Sequence, residues 1–241
     1  MRHRESVQAY FRLNTRDLTP ESLEDQVRIL YLPFSGHSDI TRQCLGVLSS
    51  RERERIGRFT APVHRESFIE RRAFRRYCSA VALNSQLPLS AFDLVETENG
   101  RPWLAGQPQV WFSFSSCRSG FLGAWSSTHD VGIDVEDTTQ DRGVVDLAQA
   151  YFSAAEACVV AGADNRKATQ DFFRFWCLKE AALKSIGQGL PYGLDRFEFE
   201  LEPRPRAVHT PVEFGKPGRY RISVMESSDR CIALVLRKRD H

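Results

Sequence analysis

Long apolar runs, paired cysteines and low-complexity segments are all missing from this 241-residue chain. No apolar run approaches the roughly 20 residues that a membrane-spanning helix needs, so the sequence predicts no membrane span. None of the six cysteines lies in a Cys-x-x-Cys pair and no histidine cluster has zinc-ligand spacing, which predicts reduced, mostly buried thiols. The first residues, MRHRESVQAYFRLN, lack the apolar core of a secretory signal, so we expect a soluble, cytoplasmic protein.

Net charge is also nearly absent, and lysine is scarce. A formal charge of +2 over the whole chain argues against a general nucleic-acid binder. All five lysines lie in the second half, whereas residues 51–76 carry nine arginines against four acids. Arginine suits bidentate contacts with phosphate groups. A salt-bridged helix face in water is the alternative interpretation, and the sequence leaves both open.

Helices and strands are predicted in both halves of the chain. The strands are QVRILYLPF, FDLVETENGRPWL (ending in an Asn-Gly turn), VWFSFSSC, GFLGAWSS, HDVGIDVEDT, RFEFELE, GRYRISVME and CIALVLRKR. The helical segments are DITRQCLGVLSSRERERIGRF, HRESFIERRAFRRYCSAVAL, GVVDLAQAYFSAAEACVVAG and ATQDFFRFWCLKEAALKSIG. We therefore expect an α+β protein of two similar halves, residues 1–127 and 128–241, with a ligand site between them.

One predicted strand, VGIDVED, carries two carboxylates on one face. Side chains alternate along a strand, so Asp134 and Glu136 point the same way. Two neighbouring carboxylates repel each other and are costly to bury without a partner. Mg²⁺ is the obvious partner, because it takes oxygen ligands and commonly uses a few carboxylates plus substrate phosphates. The alternative is an acidic strand face in water, which is the more common situation for a lone Asp-x-Glu.

The last predicted helix of the set places Trp176, Glu180 and Lys184 four residues apart, which is one helical face. Glu180 supplies a third carboxylate. By itself the Glu180–Lys184 pair is an ordinary stabilising pair worth about 0.2–0.5 kcal/mol, and Trp176 by itself indicates core packing. The combination of the acidic strand with this helix is what indicates a functional site.

Together the two motifs resemble those of the Sfp-type 4'-phosphopantetheinyl transferases. The Gly-Ile-Asp-Val-Glu strand lies within residues 131–136, and the Trp-x-x-Lys-Glu-x-x-x-Lys helix within 176–184. Further segments resemble the family over most of the chain: LSSRERERIGRF, RESFIERRAFRRY, NGRPWL, FSFSSCRSGFLGAWS, YFSAAE and GQGL.

The resemblance implies an activity and a fold. Such enzymes transfer the 4'-phosphopantetheine arm of coenzyme A to a serine of an apo carrier protein and release 3',5'-ADP. They are built as a pseudo-dimer of two α+β halves, with coenzyme A in the cleft between them. This is the 4'-phosphopantetheinyl transferase fold, and it agrees with the two halves expected from the residue pattern.

The resemblance also implies roles for individual residues. Asp134, Glu136 and Glu180 would bind Mg²⁺, and Asp134 would thereby also contact coenzyme A. Lys184, together with Lys179, would lie beside the phosphates. Glu180 is the first candidate for the base that takes the proton of the carrier serine.

Glu156 of the YFSAAE segment is the second candidate for this base. Its alternative role is structural, because Ser153 and Glu156 have the spacing of a helix capping box.

For the nucleotide end of coenzyme A, the resemblance points to five residues: Arg72, Gly100, Arg101, Ser115 and Ser116. Arg55 and Arg65 are weaker candidates. Glycine allows close approach of the backbone to phosphate, and arginine can clamp it. For each arginine a surface salt bridge is the rival interpretation.

The sequence departs from the family pattern at this end. Ser116 replaces the family histidine, so binding of the 3'-phosphate would depend on arginines, with Arg118 close in sequence. Arg101 replaces a lysine and keeps its charge, whereas Ser113 replaces an asparagine. Glu52 stands where some relatives have a basic residue, which makes a phosphate contact there doubtful.

The resemblance favours a monomeric, broad-range enzyme acting on acyl, peptidyl or aryl carrier proteins of fatty-acid, nonribosomal-peptide, polyketide or siderophore synthesis. Residues 51–76 are a candidate docking surface for an acidic carrier helix. Two alternatives remain at this point. One is a non-catalytic binder of carrier protein or coenzyme A, and the other is a Mg²⁺-dependent phosphohydrolase using the same three carboxylates.

Overall fold

A computed structural model describes residues 6–139 and 143–239 of the chain. The helices are α1 (Val7–Asn14), α2 (Ser38–Leu45), α3 (Ser50–Ile56), α4 (Pro62–Ala82), α5 (Val144–Tyr151), α6 (Ala154–Ala161) and α7 (Asn165–Ser185). The strands are β1 (Arg16–Asp17), β2 (Arg28–Pro33), β3 (Leu94–Glu96), β4 (Pro102–Leu104), β5 (Trp111–Cys117), β6 (Gly120–Ser126), β7 (His129–Asp137), β8 (Glu198–Glu200), β9 (Arg206–His209), β10 (Tyr220–Glu226) and β11 (Arg230–Lys238).

Two antiparallel sheets organise these elements. The first has the strand order β1-β2-β6-β5 and the second the order β10-β11-β7. The pairs β3-β4 and β8-β9 form small two-stranded sheets. Helices and mostly antiparallel strands are therefore mixed within each half, which confirms the α+β prediction.

The two sheets meet through a shared apolar layer. Alternate residues of each strand point into it, as Ile29 does from β2, Ile133 from β7 and Leu234 from β11, all of them fully or almost fully buried. The intervening residues point outward into two further cores, one under α4 and the other under α7. Each fully buried aliphatic side chain contributes roughly 1.5–3 kcal/mol, so this alternation fixes which face of β7 looks toward α7.

Local signals explain where the helices begin and end. Asp164 caps α7 by accepting a hydrogen bond from the backbone N–H of Lys167, and Ser49 and Glu52 form a reciprocal capping box at α3. Helix α7 is followed by Gly187, whose φ of 70° lies in the left-handed region that favours glycine. The chain then turns back over the end of α7 instead of continuing as a helix.

Two helical segments of the prediction are divided in the structure. The stretch GVVDLAQAYFSAAEACVVAG forms α5 and α6, because Phe152 and Ser153 are extended and Ser153 caps the second helix. The stretch DITRQCLGVLSSRERERIGRF forms α2 and α3 for the same reason, with Ser49 as the cap. The segment FDLVETENGRPWL forms the hairpin β3-β4 about its Asn-Gly turn, and helix α1 and strand β9 were not predicted.

The sheet boundary, the cysteines and the membrane prediction can each be compared with the structure. The first sheet ends at Ser126 and the second begins at His129, on either side of the proposed boundary between residues 127 and 128; that the halves behave as domains stays a prediction. All six cysteines are free and four are buried. Within the described ranges, no helix has both the length and the apolar character to cross a bilayer.

Candidate active site

The site is built where α7 lies against β7, and Gly132 permits this contact. A Cβ atom at Gly132 would lie 1.7 Å from the carbonyl oxygen of Ala181 and 2.6 Å from the backbone nitrogen of Ser185. The helix backbone therefore packs directly on the strand at this point. Consequently Asp134, two residues along the same strand face, reaches Lys184 on the helix.

Asp134 is the centre of the polar contacts. Its side chain is almost completely buried, and its Oδ1 accepts hydrogen bonds from Lys184 Nζ at 2.7 Å and Ser115 Oγ at 2.7 Å. Lys184 also donates to the carbonyl oxygen of Ile133 at 3.2 Å. The Oδ2 atom of Asp134 is buried and has no hydrogen-bond partner among the described residues. Half of this carboxylate is thus left for a ligand.

Glu180 lies on the same face of α7, one turn before Lys184, and lines the cleft with it. Burial raises the pKa of the Glu180 carboxyl, Lys184 partly opposes this, and the nearby Asp134 and Glu136 raise it further. Burial alone would lower the pKa of Lys184, but Asp134 and Glu180 outweigh it, so this pKa is raised. The result is one firmly charged lysine among three crowded carboxylates.

The opposite wall of the cleft comes from the first half of the chain. It consists of Arg75 on α4, the turn 99–102 and residues 112–114 of β5, and the loop 187–189 after α7 closes one end. Arg75 lies over the ring of Phe114 and forms an ion pair with Glu96 at 2.9 Å. Burial lowers the pKa of Arg75 to about 10, with Arg72 adding to the effect and Glu96 opposing it.

Arg101 differs from its neighbours because its guanidinium is free to bind. It lies 3.9 Å from the ring centre of Trp111, and among the residues that the structure describes it forms no hydrogen bond or ion pair. Gly100, with a φ of 84°, makes the turn that presents it. Arg101 and Gly100 therefore lie in the cleft lining, where the sequence placed a phosphate contact.

The other residues predicted for the nucleotide end are already engaged. Arg72 lies outside the cleft lining and pairs with Glu96 at 3.1 Å. Ser116 Oγ accepts a hydrogen bond from Arg71 at 3.1 Å, and Ser115 is bound to Asp134.

The weaker arginine candidates also have other surroundings. Arg55 lies over the Phe68 ring and Arg65 is exposed, while the backbone N–H of Arg118 donates to Asp137.

Glu156 and Lys179 are not brought to the cleft, which corrects the two roles expected for them. Lys179 is fully buried, and its Nζ donates to Glu156 Oε2 at 2.7 Å and to the carbonyl oxygens of Leu194 and Phe197. Glu156 caps α6 with Ser153 and accepts the backbone N–H of Phe199. Neighbouring residues on a helix point about 100° apart, so Lys179 faces the core when Glu180 faces the cleft.

The fit of a metal ion to the three carboxylates is partial. A cation would bind the orphan Oδ2 of Asp134 and would oppose the rise in the Glu180 pKa, which burial causes and the Asp134 and Glu136 carboxylates increase. Within residues 6–139 and 143–239, however, no three acidic, cysteine or histidine side chains stand ready in a metal-binding arrangement. The Asp134, Glu136 and Glu180 ligand set therefore stays a prediction.

Three residues of the site were not found from the sequence. Arg75 of α4 lines the cleft, Arg71 lies one turn before it and donates to Ser116, and Trp111 begins β5. Ser113, read only as a departure from the family, accepts the backbone N–H of Ile133 at 3.0 Å. Ser113 and Ser115 therefore tie the edge strand of one sheet to that of the other, directly beside the carboxylates.

Comparisons with known proteins agree on one family. A model of the 4'-phosphopantetheinyl transferase superfamily matches residues 130–235. The 4'-phosphopantetheinyl transferase HetI of Nostoc sp. is 26% identical over 216 residues, which cover 88% of each chain. The 4'-phosphopantetheinyl transferase Sfp of Bacillus subtilis is 29% identical over 164 residues, covering 64% of this chain and 72% of that protein.

A solved structure is also similar in part. It is a holo-(acyl-carrier-protein) synthase from Bacillus anthracis in complex with CoA (3',5'-ADP), 16% identical with a TM-score of 0.39, and the match covers 47% of this chain and 99% of that one.

Proposed function

We propose that this chain, which is similar to the 4'-phosphopantetheinyl transferase superfamily over residues 130–235, is an enzyme of that class and transfers the 4'-phosphopantetheine moiety of coenzyme A to a serine of apo carrier proteins. The serine hydroxyl oxygen attacks the phosphorus that bears the pantetheine arm. The pyrophosphate bond breaks, and 3',5'-ADP leaves. Acyl, peptidyl and aryl carriers are the proposed acceptors.

The observation that carries this proposal is the two-sided charge of the cleft. One wall, from β7 and α7, offers carboxylates together with Lys184, and the other offers the guanidinium of Arg101 and the Gly100 turn. A pyrophosphate needs cations along its length, and phosphoryl transfer depends mainly on positioning and on stabilising charge. Both requirements are met by groups that face each other across the cleft.

Individual residues take the following parts in the proposed reaction. Lys184, held by Asp134 and with a raised pKa, stays charged and binds a phosphate oxygen. Arg101 binds the nucleotide side of the pyrophosphate. Glu180, which lines the cleft beside Lys184, accepts the proton of the attacking serine, directly or through a water molecule.

Mg²⁺ is part of the proposal, with Asp134, Glu136 and Glu180 as its ligands. When bound, the ion neutralises charge on the transferring and leaving phosphates. The free Oδ2 of Asp134 supports this assignment. With only a few protein ligands, the remaining positions would be filled by water and by substrate oxygens, which is the usual pattern for Mg²⁺.

The proposed docking surface for the carrier protein is the corner between α3 and α4. Over residues 51–66 it exposes five arginines and a single glutamate. Such a surface attracts an acidic partner and speeds association at low salt. Helix α4 continues from this corner to Arg75 at the cleft, so a bound carrier would lie at the mouth of the site. A cytoplasmic location and a monomeric state stay predictions.

The experiment is intact-mass spectrometry of an apo acyl carrier protein and an apo peptidyl carrier protein, each incubated with this protein, coenzyme A and Mg²⁺. The expected result is a mass gain of one phosphopantetheine on both carriers, lost with EDTA and with Glu180→Gln. Release of phosphopantetheine or phosphate without an acceptor would instead establish the hydrolase. Absence of gain on both carriers, with coenzyme A still bound, would establish the non-catalytic binder.

A further inference from the structure

We propose that Trp111 and Arg239 are positioning residues that hold the Arg101 guanidinium at the cleft as a clamp for a phosphate of coenzyme A. The inference rests on the proposed function. It adds two residues that no sequence motif indicated to the binding of the substrate, and one of them directly follows strand β11.

The first step is the way Arg101 is held. Its guanidinium carbon lies 3.9 Å from the centre of the Trp111 ring, which is close stacking for a cation on an indole. An arginine stacked in this way keeps its N–H donors in the plane of the guanidinium, where they remain available for a phosphate. The other cleft arginine, Arg75, is already paired with Glu96. Stacking therefore fixes Arg101 without using up its donors.

The second step is what fixes Trp111. The Arg239 guanidinium also lies over the Trp111 ring, at 5.7 Å from its centre. Arg239 is itself held by an ion pair with Asp130 at 2.7 Å and by hydrogen bonds to the carbonyl oxygens of Gln109 and Ser127. The residue that follows β11 thus holds the segment around the start of β5, where Trp111 lies.

The third step is the charge of the cluster. Asp130 neutralises Arg237 and Arg239 together, so two guanidinium groups share one carboxylate. Burial lowers the pKa of the Arg101 guanidinium, Asp130 opposes this, and the neighbouring Arg239 lowers it further. A dianionic phosphate would relieve this repulsion, and the cluster gains more from binding an anion than an isolated arginine would.

The fourth step is position. A Cβ atom on Gly187 would lie 3.4 Å from Arg101 Cδ and 3.8 Å from the Trp111 ring, so the loop that follows α7 rests against the stacked pair. Gly187 lines the same cleft as Glu180 and Lys184. The clamp is therefore anchored to the helix that carries the proposed chemistry.

The experiment measures coenzyme A binding by calorimetry and, separately, kcat and KM for transfer to an apo carrier protein. Trp111→Leu is expected to weaken coenzyme A binding and raise its KM about tenfold with kcat nearly unchanged. Trp111→Phe keeps an aromatic face and is expected to recover most of the loss. Equal affinity in Trp111→Leu and wild type would overturn the inference, as would an equal loss in Trp111→Phe and Trp111→Leu.

A matched pair of variants guards against simple unfolding. Arg237→Gln and Arg239→Gln each remove one ion pair with Asp130, but Arg237 lies over Phe214 instead of Trp111. Only Arg239→Gln is expected to weaken coenzyme A binding, by roughly three- to tenfold. Equal binding by the two variants would overturn the role of Arg239. If the wild type neither binds coenzyme A nor transfers its arm, the proposed function fails instead.

Discussion

Helices α4 and α7 are both 21 residues long, each covers one of the two sheets, and they use their buried charges differently. On α4, every buried charged side chain is matched within the first half of the chain. Glu70 accepts hydrogen bonds from Ser35 and Thr41, and Arg76 pairs with Glu52. The buried carboxylate of this helix is therefore satisfied on both oxygens, whereas its buried arginines keep unpaired Nε–H donors.

Helix α7 has one closed side and one open side. Lys179, toward the core, has all three of its donors satisfied by Glu156 and two carbonyl oxygens. Toward the cleft, Glu180 has no hydrogen bond or ion pair among the described residues, and Asp134 keeps a free buried oxygen. Unsatisfied groups that a fold tolerates are typical of functional sites. The unpaired carboxylate oxygens on this side therefore support the proposal that the chemistry lies on the cleft side of α7.

The largest expected effect comes from the open side. Asp134→Asn keeps the size of the side chain but removes its negative charge. The variant therefore loses both the ion pair with Lys184 and the unpaired carboxylate oxygen Oδ2. We expect kcat for carrier modification to fall by on the order of 10²–10³, measured by mass spectrometry of the carrier under initial-rate conditions.

The control is Asp171→Asn on the closed side of α7. Asp171 is equally buried and is paired with Lys167 at 2.9 Å, but it lies outside the cleft lining. It should lose stability and keep its turnover. Near wild-type turnover in Asp134→Asn would mean that the free oxygen has no part in the reaction.

The next largest effect is on stability, and it comes from removing the buried ion pair between Lys179 and Glu156. Lys179→Met leaves Glu156 as a buried carboxylate without its cation, which costs about 3–5 kcal/mol. Urea unfolding of this variant should show that loss. The double variant Glu156→Leu/Lys179→Met should recover much of it, since an apolar pair leaves no uncompensated charge. An unchanged free energy of unfolding in Lys179→Met would show that the pair is not a structural unit.

The strands could be read from the sequence to a large extent because their residues alternate. The pattern of VGIDVED placed Asp134 and Glu136 on one face, and the structure has Asp134 on the face toward α7. The break between α5 and α6 was missed although its signal was present. Ser153 and Glu156 had been recognised as a capping box, and a capping box marks the start of a new helix.

The site could be predicted less well from the sequence, because the role of each charged residue depends on partners that are distant in the chain. Lys179 and Lys184 are the same residue type on one helix, yet one meets Glu156 in the core and the other Asp134 at the cleft. Arg72 is neutralised by Glu96, 24 residues away, whereas Arg101 has no acidic partner in hydrogen-bond range among the described residues. No local pattern distinguishes these outcomes, because the partners come from other elements.

A smaller effect should follow from moving the two sides of the site apart. In Gly132→Ala the new methyl group meets the backbone of Ala181, which must shift because a carbonyl cannot rotate away as a side chain can. We expect a loss of about 1–3 kcal/mol in stability and reduced transfer, because Lys184 moves away from Asp134. Gly218→Ala, where a Cβ has no neighbour within 4 Å, is the matched control and should change neither quantity. If both variants behave alike, close packing at Gly132 is not what sets the site.

The smallest effects are on the KM for coenzyme A. They compare two possible phosphate-binding groups of the first half, Arg101 and the Ser116–Arg71 pair. Ser116 occupies the position of the family histidine, but its hydroxyl is already bound to Arg71, so Ser116→Ala should change the KM for coenzyme A by less than about threefold. Arg101→Gln removes a guanidinium that stacks on Trp111 and forms no hydrogen bond or ion pair within residues 6–139 and 143–239, and it should raise that KM about tenfold, the worth of one charge-assisted hydrogen bond. Steady-state kinetics with varied coenzyme A measures both. A larger rise in KM for Ser116→Ala than for Arg101→Gln would place the phosphate at Ser116 and Arg71. The arginines of α4, and not Arg101 on the turn, would then bind it.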